Sequence, residues 1–262
     1  MSDQDAMMVS VKRHQPKGFT VNKRENILVV DVETCGGFGS SLVYDLGFAV
    51  VERATGRIIK AHSLVISDVF YDMPEKMESA YYAAKLPMYH DGIAAGTFKV
   101  VNLWEAWRLV RDTIAKYNIR RVYAYNAGFD KDALNFTMRT ITAGKYHNFM
   151  PRGVKWSCIM NMACQTLFSQ PSYLRFAEAN GLVSEKGNLR TGAEAAYAYI
   201  TRTPGYVEPH TGLADVEIEV AILHKILRQK KRMNEKIVSN AWMIPQKAHK
   251  ARRAGQLALS LR

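Results

Sequence analysis

The chain has 262 residues, with 36 Lys plus Arg against 24 Asp plus Glu and a formal net charge of +12 at pH 7. This length can bury the core of one large domain and still leave extensions. No run of about 18 apolar residues occurs, which argues against a membrane-spanning helix. The three cysteines lack CxxC spacing, which argues against a disulfide framework and a zinc finger. We therefore expect a soluble protein of a reducing compartment, the cytoplasm.

The positive charge is concentrated toward the C-terminus. Residues 225–262 contain eleven basic residues and one acidic residue, whereas residues 1–26 contain five basic and three acidic residues. These segments contribute +10 and +2, so the stretch between them is neutral overall. A neutral body with a basic end is typical of contact with the phosphate backbone of nucleic acid; a solubilising tail is the alternative. The predicted division is an N-terminal extension (1–26), one principal domain (27–230) and a basic C-terminal tail (231–262).

The first part of the principal domain has β patterns. Residues 27–30 form a continuous apolar run after charged residues, which is typical of a strand buried on both faces. Residues 42–52 and 57–66 are two further β-rich runs, and the residues Arg53-Ala54-Thr55-Gly56 between them suit a hairpin turn. These three strands therefore form an antiparallel meander.

Helical patterns dominate after residue 73, with further strands predicted at 121–125 and 154–159. The alternation predicts an α/β fold with a mixed sheet and helices on both faces. The predicted helices start at Pro74 and cover residues 101–117, 131–140, 161–200 with breaks at Gln170-Pro171 and 181–192, and 215–231.

Acidic residues recur where predicted elements begin or end. Asp31 and Glu33 are two residues apart on a strand, so their side chains share one face. Asp130 falls at the cap or first turn of a helix, at the same sheet edge if the strand before it runs parallel to the first. Four carboxylates in one pocket would repel one another unless cations held them, so such a grouping indicates a divalent metal site. The segments are Asp31-Val32-Glu33, Asn126-Ala127-Gly128-Phe129-Asp130 and His210-Thr211-Gly212-Leu213-Ala214-Asp215.

Each segment taken alone has a simpler interpretation. The pair Asp31 and Glu33 can be a solvated strand end, and Asp130 can be an N-cap worth roughly 1 kcal/mol. Asn126 can serve only the turn, and Phe129 can fill core.

The loop around His210 carries a similar ambiguity. Pro209 and Gly212 favour a loop, which leaves Asp215 to open the next helix and His210 free to turn toward whatever Asp215 binds. An isolated loop histidine is more often a surface residue without a specific role.

The combination of Asp-x-Glu, a strand followed by Asn-x-x-x-Asp, and His-x4-Asp resembles the three motifs of the DEDDh (DnaQ-like) 3′-5′ exonucleases, over about residues 27–227. The resemblance implies an RNase H-like fold with a mixed five-stranded sheet in the order 3-2-1-4-5. Residues 79–83 and 196–215 are also similar to exonucleases of tailed bacteriophages, which would place the protein in the host cytoplasm. Many relatives have an aspartate where this chain has Trp156-Ser157-Cys158.

The resemblance implies a metal-dependent 3′-5′ exonuclease that releases nucleoside 5′-monophosphates from single-stranded DNA or RNA. Two Mg²⁺ or Mn²⁺ ions would be held by the four acids, and His210 would be the general base. By the same resemblance the metal ligands are Asp31, Glu33, Asp130 and Asp215, and the substrate-binding residues are Thr34, Cys35, Gly36, Asn126 and Phe129.

Two other functions are compatible with parts of the pattern. A nucleic-acid-binding adaptor of the same fold could have lost catalysis, although retention of all four acids and the histidine argues against it. A phosphatase with Asp31 as nucleophile would usually need a second aspartate where Glu33 stands. The expected partner is a single-stranded 3′ end; a DNA polymerase partner in replication, a homodimer and the choice between DNA and RNA stay open. Tyr81, Tyr82 and Tyr89 either stack bases or fill core.

Overall fold

The computed structural model describes residues 25–37, 39–78 and 83–260, with side chains described as far as Arg252. Most of the predicted N-terminal extension, together with Tyr81 and Tyr82, therefore lies outside the described residues. The strands are β1 (Asn26–Cys35), β2 (Leu42–Glu52), β3 (Arg57–Ile66), β4 (Lys99–Val101), β5 (Arg121–Ala124) and β6 (Lys155–Cys158).

The helices surround this sheet. Within the described residues they are α1 (Ser67–Phe70), α2 (Pro74–Glu78), α3 (Leu86–Ala94), α4 (Leu103–Lys116), α5 (Ala127–Ile141), α6 (Ile159–Thr166), α7 (Pro171–Ala179), α8 (Ala193–Thr201), α9 (Gly212–Leu227) and α10 (Met243–Ser260), with a 3₁₀ turn at Ala83–Lys85. No helix in the described part of the chain has the length and apolar character needed to cross a membrane.

The six strands form one mixed sheet in the order β4-β3-β2-β1-β5-β6. β1, β2 and β3 are an antiparallel meander, whereas β5 and β6 add in parallel beyond β1. The predicted α/β class is confirmed, and the five predicted strands have their predicted order. The predicted count of five strands is wrong, because β4 pairs in parallel with β3 at the sheet edge. Three residues are too few to show an alternating pattern in the sequence.

The helix predicted at 101–117 covers only Leu103–Lys116, because Val101 lies in β4, and the helix predicted at 215–231 ends at Leu227. Three further boundaries affect the acidic segments. β1 continues to Cys35, so Asp31 and Glu33 lie within a strand. α5 begins at Ala127 and α9 begins at Gly212, each several residues earlier than predicted, so Asp130 and Asp215 lie in first turns. In both cases the three small or apolar residues before the acid already adopt helical geometry, although a stretch this short shows no helical periodicity.

The core lies on both faces of the sheet. Along β1, Ile27 and Val29 pack on one face with α6, α7 and α9, whereas Leu28 and Val30 pack on the other face with α4 and α5. β1 is therefore buried on both faces, as its apolar run predicts. Because side chains alternate along a strand, Asp31 and Glu33 continue the Ile27 and Val29 face, which α9 covers.

The start of α9 lies directly against β2 through two glycines. A Cβ atom at Gly47 would lie 2.0 Å from the carbonyl carbon of Gly212, and one at Gly212 would lie 2.5 Å from the backbone nitrogen of Gly47. At both positions the nearest atom belongs to backbone, which cannot move aside as the end of a flexible side chain can. This close approach fixes where the first turn of α9, and therefore Asp215, meets the sheet.

The segment predicted as a basic tail packs on the domain as far as its side chains are described. The backbone N–H of Cys158 donates to the carbonyl oxygen of Glu235 at 2.8 Å. The side chain of Gln246 exchanges two hydrogen bonds of 2.8 Å with the backbone of Leu189. Buried polar groups that need partners thus hold this segment on α6 and on the loop before α8.

Replacing either glycine at this contact tests its role in stability. Gly47→Ala and Gly212→Ala should each lower the free energy of unfolding by roughly 1–3 kcal/mol or more, because the added methyl group overlaps backbone. Gly128→Ala is the matched control, since its Cβ would meet Ile237 at an ordinary 3.5 Å. Urea denaturation measures all three; equal stability of the variants would contradict the close approach.

Candidate active site

One cavity of about 190 Å³ collects all five residues predicted as catalytic. β1 supplies Asp31 and Glu33, the start of α5 supplies Asp130, and the start of α9 with its preceding loop supplies Asp215 and His210. Asn126 and Phe129, two of the predicted substrate contacts, also line this cavity.

The topology explains why these distant segments meet. β1 and β5 run in parallel and pair side by side, with Leu28 opposite Val122. Their carboxyl ends therefore reach the same sheet edge, where ligands of open α/β sheets bind. The first turn of α5 follows β5 directly, and the close approach of Gly212 to β2 places the first turn of α9 beside it.

The other three predicted substrate residues do not line this cavity. Cys35 is fully buried in the core, so its side chain is not available to a ligand. Thr34 follows a register shift between β1 and β2, and Gly36 lies beyond the strand end with a left-handed φ of 93°. Substrate contact by Thr34 or Gly36 stays a prediction.

The carboxylates destabilise one another's charged forms. Burial raises the pKa of Asp31 well above its usual range, and the nearby Glu219, Asp130, Glu33 and Asp215 raise it further. Burial, with Asp215 and Asp45, raises the pKa of Glu33 to about 8. Without a bound cation, the site therefore holds protons at neutral pH.

The pKa values of Asp130 and Asp215 are also raised. Burial raises the pKa of Asp130 to about 7, against two backbone hydrogen bonds that lower it. Burial also raises the pKa of Asp215 to about 6, with the backbone of His210 and the charge of Lys85 opposing the shift.

His210 lies at the cavity rim, and its surroundings favour the neutral imidazole. Its backbone has a left-handed φ of 53°, and the Lys85 ammonium donates to the carbonyl oxygen of the preceding Pro209. Burial lowers the pKa of His210, and the charge of Lys85 lowers it further. One ligand atom each of Glu33, His210 and Asp215 lie within 4.8 Å of one another, so the three can hold a metal ion together.

Glu219 is, with Glu208, one of two further carboxylates in the cavity that sequence reasoning missed. It lies one turn after Asp215 on the same face of α9 and is 2% exposed. Its Oε1 accepts a 2.9 Å hydrogen bond from the backbone N–H of Tyr125, whereas its Oε2 has no hydrogen-bond partner among the described residues. The sequence does contain a signal for this residue, because Glu219 stands among the apolar residues Val216, Ile218 and Val220, and a fully buried acid is rare unless it has a partner.

Asp45 is a buried acid next to the site, and the sequence analysis did not identify it either. It lies opposite Glu33 in the register of β1 and β2. Its Oδ2 accepts from the Tyr89 hydroxyl at 2.7 Å and from the backbone N–H of Gly212 at 2.9 Å. Tyr89 is 1% exposed, which confirms the core interpretation of that residue. Asp45 thus connects α3, β2 and the start of α9.

The donor set fits hard divalent cations. Oδ1 of Asp215 and Oε2 of Glu219 are buried and lack hydrogen-bond partners within the described part of the chain. Buried carboxylate oxygens without partners are destabilising, and a cation would satisfy them. Oxygen-rich sites of this kind suit Mg²⁺ and Mn²⁺.

The raised pKa values predict how pH affects the metal-free protein. Each acid has a higher pKa folded than unfolded, so its stabilising contribution is complete below about pH 4 and is lost as pH rises through about 8. In chelator, the unfolding temperature should therefore fall from pH 5 to pH 8.5, and Mn²⁺ should restore it at the upper end. Asp215→Asn should flatten the profile. Stability that rises over this range and ignores Mn²⁺ would refute the acidic cluster.

The six-stranded mixed sheet, with an acidic cavity at the carboxyl ends of β1 and β5, agrees with the predicted RNase H-like fold. Neither a protein-family model nor a curated protein matches the chain. Solved structures do match. The nuclease domain of 3'hExo, a DEDDh family member bound to rAMP, matches with a TM-score of 0.54 and 14% identity over 82% of this chain and 98% of that chain.

Two further structures show the same similarity. A full-length 3'-exonuclease has a TM-score of 0.55 at 14% identity, with 82% of this chain and 88% of that chain covered. The ExoI/SSB-Ct complex has a TM-score of 0.51 at 13% identity, with 80% of this chain but 42% of that chain covered. Identities this low establish the fold, and the predicted exonuclease fold is confirmed.

Proposed function

We propose that the protein is a metal-dependent 3′-5′ exonuclease that hydrolyses single-stranded DNA or RNA to nucleoside 5′-monophosphates. The observation that carries the proposal is the convergence of Asp31, Glu33, Asp130, Asp215 and His210 in one cavity. The shared fold adds support, because the 3'hExo nuclease domain is bound to rAMP, a nucleoside monophosphate like the proposed products.

The four acids, Asp31, Glu33, Asp130 and Asp215, line one cavity and would hold two Mg²⁺ or Mn²⁺ ions. Ions held there would supply Lewis-acid activation of an attacking water and neutralise charge on the leaving 3′-oxygen. The imidazole of His210, kept neutral by burial and by Lys85, takes the proton from that water. Phe129, 38% exposed, and Asn126 line the cavity where the terminal nucleotide enters. The products are a nucleoside 5′-monophosphate and a strand shortened by one residue with a free 3′-hydroxyl.

Glu219 is proposed as a fifth acid of the metal site. One of its oxygens fixes the backbone of Tyr125 directly before Asn126, and the other is left for a cation. Among the neighbouring charges that raise the pKa of Asp31, that of Glu219 has the largest effect. Both residues line the same cavity, which supports a shared ligand.

A 5′-labelled oligonucleotide tests the activity directly. With Mg²⁺ or Mn²⁺ the wild type should give a ladder shortening from the 3′ end, and Asp31→Asn should reduce the rate by about 10²-fold or more while the fold is kept. Asp112→Asn, the same change at an exposed position of α4, should leave the rate unchanged. A panel of single-stranded DNA, RNA and mismatched duplex ends then identifies the substrate. A wild type that binds the strands without shortening them would instead favour the inactive adaptor.

The proposed role of Glu219 has a readout apart from activity. Glu219→Gln keeps an oxygen for the Tyr125 N–H but removes the charge, so Mn²⁺ affinity measured by calorimetry should fall about 10- to 100-fold. Glu217→Gln changes an exposed residue of the same helix and should bind Mn²⁺ like the wild type. Unchanged affinity in both variants would limit Glu219 to a structural role.

A further inference from the structure

A second and larger cleft lies at the opposite end of α9 from the candidate active site. Its volume is about 870 Å³, and it lies between the β2–β3 turn and the loop that follows α9. Asp215 and Arg228 are thirteen residues apart along the helix, which corresponds to about 20 Å. The cleft is lined by Arg53, Ala54, Leu227, Arg228, Lys230, Lys231, Arg232, Met233 and Glu235.

The acid of this cleft is already neutralised. The Glu235 carboxylate accepts 3.0 Å hydrogen bonds from both Arg53 and Arg121 and a 2.7 Å bond from the Tyr123 hydroxyl. The same two arginines also contact Glu25, at 3.8 and 3.6 Å. Two acids thus balance two arginines, and of these four residues Arg53 and Glu235 line the cleft.

Four exposed cations on the wall have no such balance. Arg228, Lys230, Lys231 and Arg232 form no ion pair with any residue that the structure describes. They lie within five consecutive positions, so they repel one another and create a strong local positive potential.

The segment that carries these four cations, residues 228–232, is fixed on the domain at both ends, by α9 before it and by hydrogen bonds after it. The side-chain amide of Asn161 donates to the carbonyl oxygens of Asn234 and Lys236 at 3.0 and 2.9 Å. Gln165 and Asn234 exchange two further hydrogen bonds of 2.9 and 3.0 Å. The cations therefore stand between the end of α9 and an anchored segment, and the concave positive surface is formed in advance.

Interaction with the helix dipole of α9 accounts for only part of this positive charge. Cations near a helix C-terminus interact favourably with its dipole, but the effect is limited to about the last turn. Arg228 is the C-cap of α9, whereas Lys230, Lys231 and Arg232 lie beyond the helix. These three charges call for a different partner.

We propose that the cleft binds phosphates of the nucleic-acid strand upstream of the 3′ end held in the active site. This inference rests on the proposed function. A stacked strand rises about 3.4 Å per nucleotide, so roughly six nucleotides cover the distance along α9. A dinucleotide in the active site cannot reach the cleft, whereas a 12-mer can. The cleft therefore sets the affinity for long strands without taking part in the hydrolysis.

The test removes the four cations together. The cleft variant carries Arg228→Gln, Lys230→Gln, Lys231→Gln and Arg232→Gln. A control variant removes the same charge at four exposed positions elsewhere, by Arg108→Gln, Lys145→Gln, Arg152→Gln and Lys186→Gln.

Binding of a fluorescent 12-mer is measured in chelator, where no hydrolysis interferes, over a range of salt concentrations. The cleft variant should bind at least ~10-fold more weakly at low salt, and its slope of log K against log salt should be shallower by up to about 3. In metal, KM for the 12-mer should rise while kcat/KM for a dinucleotide stays constant.

Equal salt slopes for the cleft and control variants would overturn the proposal, and so would a cleft variant that loses only thermal stability. A wild type that binds the 12-mer through the cleft but never hydrolyses it would contradict the proposed function and leave the cleft supported.

Discussion

Mutual repulsion among buried carboxylates is the constraint on which the rest of the structure depends. Six acids line a cavity at the end of the central strands, and burial is the largest cause of the raised pKa of each. Such an arrangement is destabilising in the absence of cations. The free energy that offsets it comes from two apolar layers that bury β1 on both faces. The site therefore lies beside these apolar layers, whose burial opposes the local repulsion.

Precise placement of α9 converts this cluster into a site. The approach of Gly47 and Gly212 leaves no room for a side chain, and Asp45 ties the first turn of α9 to Tyr89. Asp215 and Glu219 then face Asp31 from one turn apart. A shift of α9 along β2 would require backbone overlap, so the distance between strand acids and helix acids is set by rigid parts of the fold.

The sequence predicts elements and motifs well where the pattern is local. The meander of β1 to β3 follows from apolar runs and turn residues, and the acids at 31, 33, 130 and 215 follow from their positions at element ends. What it did not reveal depends on tertiary context. β4 is a strand because β3 offers a free edge, and Asp45 and Glu219 sit in runs whose apolar character indicates only core. Cys35 follows a motif in sequence, but the register shift after Glu33 leaves it in the core.

The two ends of α9 carry opposite charge, and this asymmetry suits an anionic strand. Asp215 in the first turn and Lys225 in the last turn both complement the helix dipole. An acidic cavity repels phosphate. Cations bound in the cavity would turn this repulsion into attraction only for the phosphate nearest to them, because their field is screened beyond about 10 Å in salt solution. The upstream phosphates therefore need positive charge from elsewhere. Arg228, Lys230, Lys231 and Arg232 would provide it about 20 Å away, far enough to leave the proposed proton-accepting role of His210 and the charge of the acids unaltered.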